Sequence, residues 1–220
     1  LARAAQGVVR SAFGLQGQKC SACSVVYVDN AVKDEFVRLC TEFAAKLQVG
    51  DPRKAATFMG PLYNAGTVER FKSAVAQVQA EGKVHFGGTR LEGLPENYFM
   101  PAIVEMDGPS NLTRDELFMP FVVVRGVDGL DAGLAEGNDI HYGLSAGIFT
   151  EDNAELQHFL DHAEAGVLYA NRASGATTGA WPGAQPFCGW KGTGVSGKGG
   201  LGSYFLPQFM REQSHTIMTK

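Results

Sequence analysis

The sequence predicts an α/β fold, an open and largely parallel sheet flanked by helices. Three observations predict it. Apolar residues recur at helical spacing in several long segments. Short β-branched and aromatic runs alternate with those segments. The densest such run, Phe118 to Val124, is apolar almost throughout, as befits a central strand buried on both faces.

Taken in order, Leu1, Ala5, Val8, Val9, Ala12 and Phe13 mark an opening amphipathic helix that Gly14 to Gln18 breaks. Ser24 to Asp29 reads as a buried strand. Val32, Phe36, Leu39, Cys40, Phe43 and Leu47 trace a second helix, with Asp29 or Asn30 placed to cap it and Gly50-Asp51-Pro52 to end it. A third helix runs from about Asn64 to Glu81, stopped by Gly82. Strands follow near Val84 to Phe86 and Phe99 to Glu105, and then the central run. The remaining pattern is a helix near Leu130 to Glu136, a strand near Ser145 to Thr150, a helix from Glu151 to about Glu164 capped by Gly166, and a strand over Val167 to Ala170. Half of the residues from Gly189 to Gly202 are glycine, which predicts an irregular loop. Gln213 to Met218 reads as a final strand, one that pairs with another subunit.

The 220 residues, 45% hydrophobic with 14 Phe and only 19% charged, suit a packed globular chain with one sizeable core. A formal net charge of −4 gives nucleic acid or an anionic membrane no general attraction. No apolar run approaches the roughly 20 residues that span a bilayer, and the first residues lack a secretion signal. The chain opens on Leu1 rather than methionine, so a piece of a longer polypeptide is expected. Cys20, Cys23, Cys40 and Cys188 are too few and too irregular for a disulfide framework, and a cytoplasm-like reducing compartment fits. The Cys20/Cys23 pair has no second pair at zinc spacing. The five histidines show no ligand pattern, so no metal is expected.

The segment that carries chemistry is FGLQGQKCSACS, between the first helix and the first strand. Gly14 and Gly17 let backbone approach closely, Lys19 adds a positive charge beside Cys20, and a helix-to-strand turn can aim N–H groups at an oxyanion. A small buried cysteine accounts for the same spacing.

Gly17-Gln18-Lys19-Cys20 resembles the G-Q-x-C motif of the aldehyde dehydrogenase superfamily, and the resemblance continues in order along the chain. Glu116 to Pro120 is similar to its E-x-F-G-P element, His141 to Phe149 to its Y-G-L-x-x-x-[IV]-F strand, and Gln185 to Lys191 with Ser196-Gly197 to its late P-F-G-G-x-K-x-S-G loop. The resemblance implies Cys20 as the nucleophile that forms a thioester, with its backbone N–H helping to hold the oxyanion. It implies NAD or NADP as cofactor, with Glu116 on the ribose next to the nicotinamide and Phe118 packing nearby. An exposed, solvated Glu before a strand is the plainer alternative for Glu116. Met119 stands where the family carries glycine.

Two details resemble the glutamate-semialdehyde (1-pyrroline-5-carboxylate) branch. They are Gln18 to Ser24 and the loop with Thr178-Gly179-Ala180, Gly183 and Gln185-Pro186-Phe187. They imply that the Ser21 hydroxyl and the N–H groups of Gly179 and Ala180 bind the α-carboxylate, while Phe187 packs on the aliphatic chain. Ser21 as a turn cap and Gly179 as a positive-φ residue are equally simple. The branch pattern is departed from at Val25, at Cys188 and in the length of Asn171 to Thr178. The resemblance places residues 1–205 in the catalytic domain, lacking its first strand, and 206–220 in an oligomerisation arm. The cofactor domain and the general-base glutamate lie upstream. Partners are then a small aldehyde and further copies of the chain. Another aldehyde substrate, or a non-catalytic oligomerisation module, are the alternatives.

Overall fold

A computed structural model of the protein describes residues 1–173, 184–194 and 198–220. Helix α1 (Ala2–Phe13) buries Ala5, Val8, Val9, Ala12 and Phe13, a stripe at intervals of three and four. A short 3-10 turn (Gly14–Gly17) follows, with Leu15 and Gln16 at φ 51° and 60°, and reverses the chain toward strand β1 (Val25–Asp29). Helix α2 (Lys33–Ala45) packs Phe36, Val37, Cys40 and Ala44 into the same apolar layer as α1. Neither Asp29 nor Asn30 caps α2, contrary to expectation, because both side chains are engaged elsewhere. Asp29 accepts from the Ala31 amide at 2.8 Å and Asn30 donates to Asp128 at 2.7 Å. Helix α3 (Ala65–Glu81) begins as expected, with the Asn64 side chain accepting from Thr67 N at 2.8 Å.

Strands β2 (Gly82–Phe86) and β3 (Ala102–Met106) come next, then the single turn α4 (Asn111–Arg114), closed by a Ser110/Thr113 capping box. Strand β4 (Phe121–Val127) leads to α5 (Gly129–Asn138), β5 (Tyr142–Gly143) and β6 (Ser145–Ile148). Helix α6 (Asn153–His162), β7 (Val167–Ala170) and β8 (Trp190–Lys191) complete the regular elements, apart from a last 3-10 turn at Leu206–Phe209.

The main sheet has the order β1-β4-β3-β2. β4 runs parallel to both β1 and β3, and only β2 is antiparallel. β6 and β7 form a separate parallel pair, and β5 pairs with β8. The largely parallel α/β expectation therefore holds. Strand β4 explains the continuous apolar run. Val122 and Val124 face α1 and α2, while Phe121 and Val123 face α3, so both sides of the strand are covered. Arg125 is the exception among these residues. Its guanidinium is buried, donates to Glu136 of α5 at 3.0 and 2.6 Å, and donates to the Met106 carbonyl at 2.9 Å. A buried charge needs such pairing.

Two expectations are corrected here. The central strand begins at Phe121 rather than Phe118, since Phe118 sits at φ 53° and cannot be extended. Helix α6 ends at His162 with Ala163 as its C-cap, and Gly166 serves a close approach instead, because a Cβ there would run into the Cys188 carbonyl. Within the single chain Gln213 to Met218 forms no strand, with Ile217 84% and Met218 87% exposed, and the pairing expected of it is with another subunit. A strand needs a neighbouring edge to bond, and the described residues offer this segment none.

Candidate active site

A cleft of about 550 Å³ opens between β1, β6, α1, α5 and the segment 113–119. The turn after Gly17 delivers Cys20 to its wall. Gln18 N donates to Leu15 O at 3.0 Å, Ala22 N to Lys19 O at 3.0 Å, and Cys23 N to Ser11 Oγ at 3.2 Å. The backbone around the thiol is therefore fixed from both sides, and Cys20 itself is exposed. Gly17, at φ 66°, is buried against the segment opposite, since a Cβ on it would meet the Met119 carbonyl. The two motifs that the sequence singles out thus touch through backbone.

Among the residues proposed from sequence, the structure brings Cys20, Ser21, Glu116 and Phe118 to one cleft. Ser21 is buried, Glu116 is exposed, and Phe118 is 44% exposed. Phe187 is not among the lining residues. It is half-buried, and its amide donates to the Gly200 carbonyl at 2.8 Å. Gly179 and Ala180, with Thr178, Gly183, Ser196 and Gly197, lie outside the described residues.

The neighbouring thiols contrast with Cys20. Burial pushes the Cys23 thiol up to about 12, its sulfur lying 3.6 Å from the Val25 carbonyl and packed on the core. Burial, and then the nearby Cys23, push Cys40 up to about 12 as well. Such thiols stay protonated and inert near neutral pH. The C-x-x-C spacing therefore spans two environments, and no group of three or more metal-ligating side chains forms among the described residues.

Sequence reasoning missed two cleft residues, Tyr169 at the end of β7 and Arg172 beyond it. The Arg172 guanidinium lies 6.0 Å from the Tyr169 ring centroid, and burial pushes the Tyr169 phenol up to about 12. A lone Arg following a strand carries no sequence signal of its own. Its place in the cleft follows from Asn171, whose φ of 55° turns the chain and whose side chain bonds Thr150 N and O at 3.1 and 2.9 Å.

An α/β domain that presents one exposed thiol, on a fixed helix-to-strand turn, into a cleft shared with a carboxylate and an aromatic ring is a domain arranged for covalent thiol chemistry. The chain belongs to the aldehyde dehydrogenase family, whose sequence profile matches residues 1–214. It is 33% identical over 205 residues to a 1-pyrroline-5-carboxylate dehydrogenase of Geobacillus thermodenitrificans, covering 92% of this chain and 39% of that protein. Against the enzyme of that name from Bacillus cytotoxicus it is 34% identical over 218 residues, covering 98% and 41%. Among solved structures, 1-pyrroline-5-carboxylate dehydrogenase from Thermus with bound NAD matches with a TM-score of 0.79 and 32% identity, over 86% of this chain and 36% of that one. A 3,6-anhydro-L-galactose dehydrogenase matches with a TM-score of 0.85 and 30% identity, over 94% and 43%. The chain spans about two fifths of the length of the curated relatives it matches.

Proposed function

We propose that this chain supplies the nucleophile-bearing catalytic domain of an NAD- or NADP-dependent enzyme that oxidises glutamate γ-semialdehyde to glutamate, as in proline breakdown. The observation that carries this reading is the exposed thiol of Cys20 in one cleft with Glu116 and Phe118. The relatives named 1-pyrroline-5-carboxylate dehydrogenase support the substrate class.

In this reading the Cys20 thiolate adds to the aldehyde carbon, and N–H groups of the fixed turn stabilise the oxyanion. When bound, the dinucleotide supplies the acceptor for the hydride that the adduct must lose. Cys20 is then left as a thioester, and water cleaves it to the carboxylic acid and the free thiol. The residues present fit a dinucleotide, since the exposed Glu116 carboxylate can accept from ribose hydroxyls and the Phe118 ring offers an apolar surface beside it. Ser21 donates to the α-carboxylate of the substrate, joined by the amides of Gly179 and Ala180, with Phe187 on the aliphatic stem.

The remainder of the machinery belongs to a longer polypeptide in this reading, which includes a cofactor domain and a first strand for the catalytic sheet. The cleft supports this. Its walls include Val25 and Val26 from β1, an edge of the main sheet, and Ser145 and Ala146 from β6, which pairs only with β7 among the described residues. Helix α1 leads into β1, and such a helix normally returns from a parallel strand beside it. Residues 206–220 act as an arm that joins copies of the enzyme.

The test is acylation of the chain by p-nitrophenyl acetate, mapped by mass spectrometry. The reading expects the acyl group on Cys20 alone. Four equally inert thiols would instead favour a non-catalytic oligomerisation module, which the exposed apolar tail also suits.

A further inference from the structure

The family pattern to which Glu116–Pro120 is similar carries glycine where this chain carries Met119, and the structure gives that methionine a specific task. Its side chain is buried at 3% exposure, in one apolar layer with Leu62, Phe71, Phe121 and Val123. Its carbonyl accepts from the Phe121 amide at 2.8 Å and lies against Gly17. One residue earlier, Phe118 holds φ at 53°, a left-handed conformation that a bulky side chain disfavours by a factor of about five to thirty. Phe118 nevertheless stays there, with its ring in the cleft. A glycine at 119 has no side chain with which to hold its neighbour.

We propose that Met119 is a positioning residue, whose buried side chain anchors the 116–119 turn so that Glu116 and Phe118 face the cleft holding Cys20. This rests on the reading of those two residues as cofactor contacts. The anchor works by apolar volume. Leucine, of similar volume, therefore replaces it, whereas glycine does not.

The experiment is a double-mutant cycle on the whole 220-residue chain, read by urea unfolding, with Phe118→Gly and Met119→Gly. If Met119 holds Phe118 in place, the two changes are coupled. The effect of Phe118→Gly on the folding constant then differs at least threefold between the native and Met119→Gly backgrounds. Met119→Ala carries the same cycle if the glycine variant does not fold. A second readout is the ¹⁹F resonance of 4-fluorophenylalanine placed at 118. Met119→Gly or Met119→Ala should move it toward its unfolded-chain position, and Met119→Leu should leave it in place. Additive effects, an unmoved resonance, or a leucine variant as perturbed as the glycine variant each overturn the proposal. Acylation of Cys20 in the native chain reports separately on the enzyme reading. Inert Cys20 with a coupled cycle would remove that reading and leave the anchor standing.

Discussion

The corner at residues 14–24 and the tail at residues 201–220 both lack a long helix or strand, yet they are built in opposite ways. At the corner, positive φ angles at Leu15, Gln16 and Gly17, a hydrogen bond from the Cys23 amide to Ser11, and contact with Met119 fix the backbone from several sides. Leu15, Cys20 and Ser24 emerge exposed there, and of the four thiols only that of Cys20 does. The tail presents Tyr204, Leu206, Phe209, Met210, Ile217 and Met218 to solvent. Phe205 and Phe209 pair within it at 5.4 Å between ring centroids, and both are themselves exposed. Local order therefore follows from the contacts that a stretch makes with the rest of its own chain. A strained turn stays put where the surrounding packing over-determines it, and an apolar arm gains from burial only against another surface.

The largest expected effect tests the chemistry of the corner. With Cys23 and Cys40 pushed up to about 12, their thiolate fraction at pH 8 is on the order of 10⁻⁴. Iodoacetamide should thus label the exposed Cys20 far faster than either, by peptide mapping over time. Equal rates would dissolve the contrast. Their ionisation also sets an alkaline limit. The unfolded thiols ionise from their ordinary value of 9.0, the folded ones only near 12. Stability from these thiols, present in full below pH 9, is lost as pH rises toward 12, and urea midpoints across that window should fall.

Next in size is a control outside both regions. Glu136→Ala leaves the buried Arg125 guanidinium without its carboxylate and should destabilise the chain by about 3 kcal/mol, while Cys20 labelling persists wherever the fold does. Gly17→Ala follows, at about 2 kcal/mol, because it must leave φ 66° or displace Met119. Unlike the control, it should also slow Cys20 acylation. Smallest is removal of residues 210–220, which should change unfolding free energy by less than about 0.5 kcal/mol while weakening self-association in analytical ultracentrifugation. A large stability loss from that deletion would show the tail to be part of the domain core.

The sequence made the packed elements readable and the site's supporting geometry much less so. The helices of α1, α2 and α3 were legible because their buried residues repeat at three and four, and β4 because both its faces are covered. Cys20 stood out by its segment as well as by the resemblance, Ser21, Glu116 and Phe118 only by the resemblance, and the four share a cleft. Phe118 and Met119 merged with β4 because an apolar string shows no sign of backbone direction. Asp29 and Asn30 looked like caps because composition cannot say which amide a side chain reaches first. The strand expected at Gln213 to Met218 does not form within one chain for a non-local reason, since β-propensity is expressed only beside a partner edge. Arg172 was invisible because its position depends on a left-handed neighbour and a clasp to Thr150 across 21 residues.

The buried guanidinium on β4 has one more effect, on how strictly the sheet can assemble. Val122, Val123 and Val124 are nearly interchangeable in size and greasiness, so a strand made only of them could slide by one position at little cost. Sliding by one would swing Arg125 into the opposite apolar layer, away from Glu136 and the Met106 carbonyl. A single cation thereby works as an indexing pin, permitting one alignment of an otherwise featureless strand and keeping the thiol-bearing turn beside β1 in step with the segment that leads into β4.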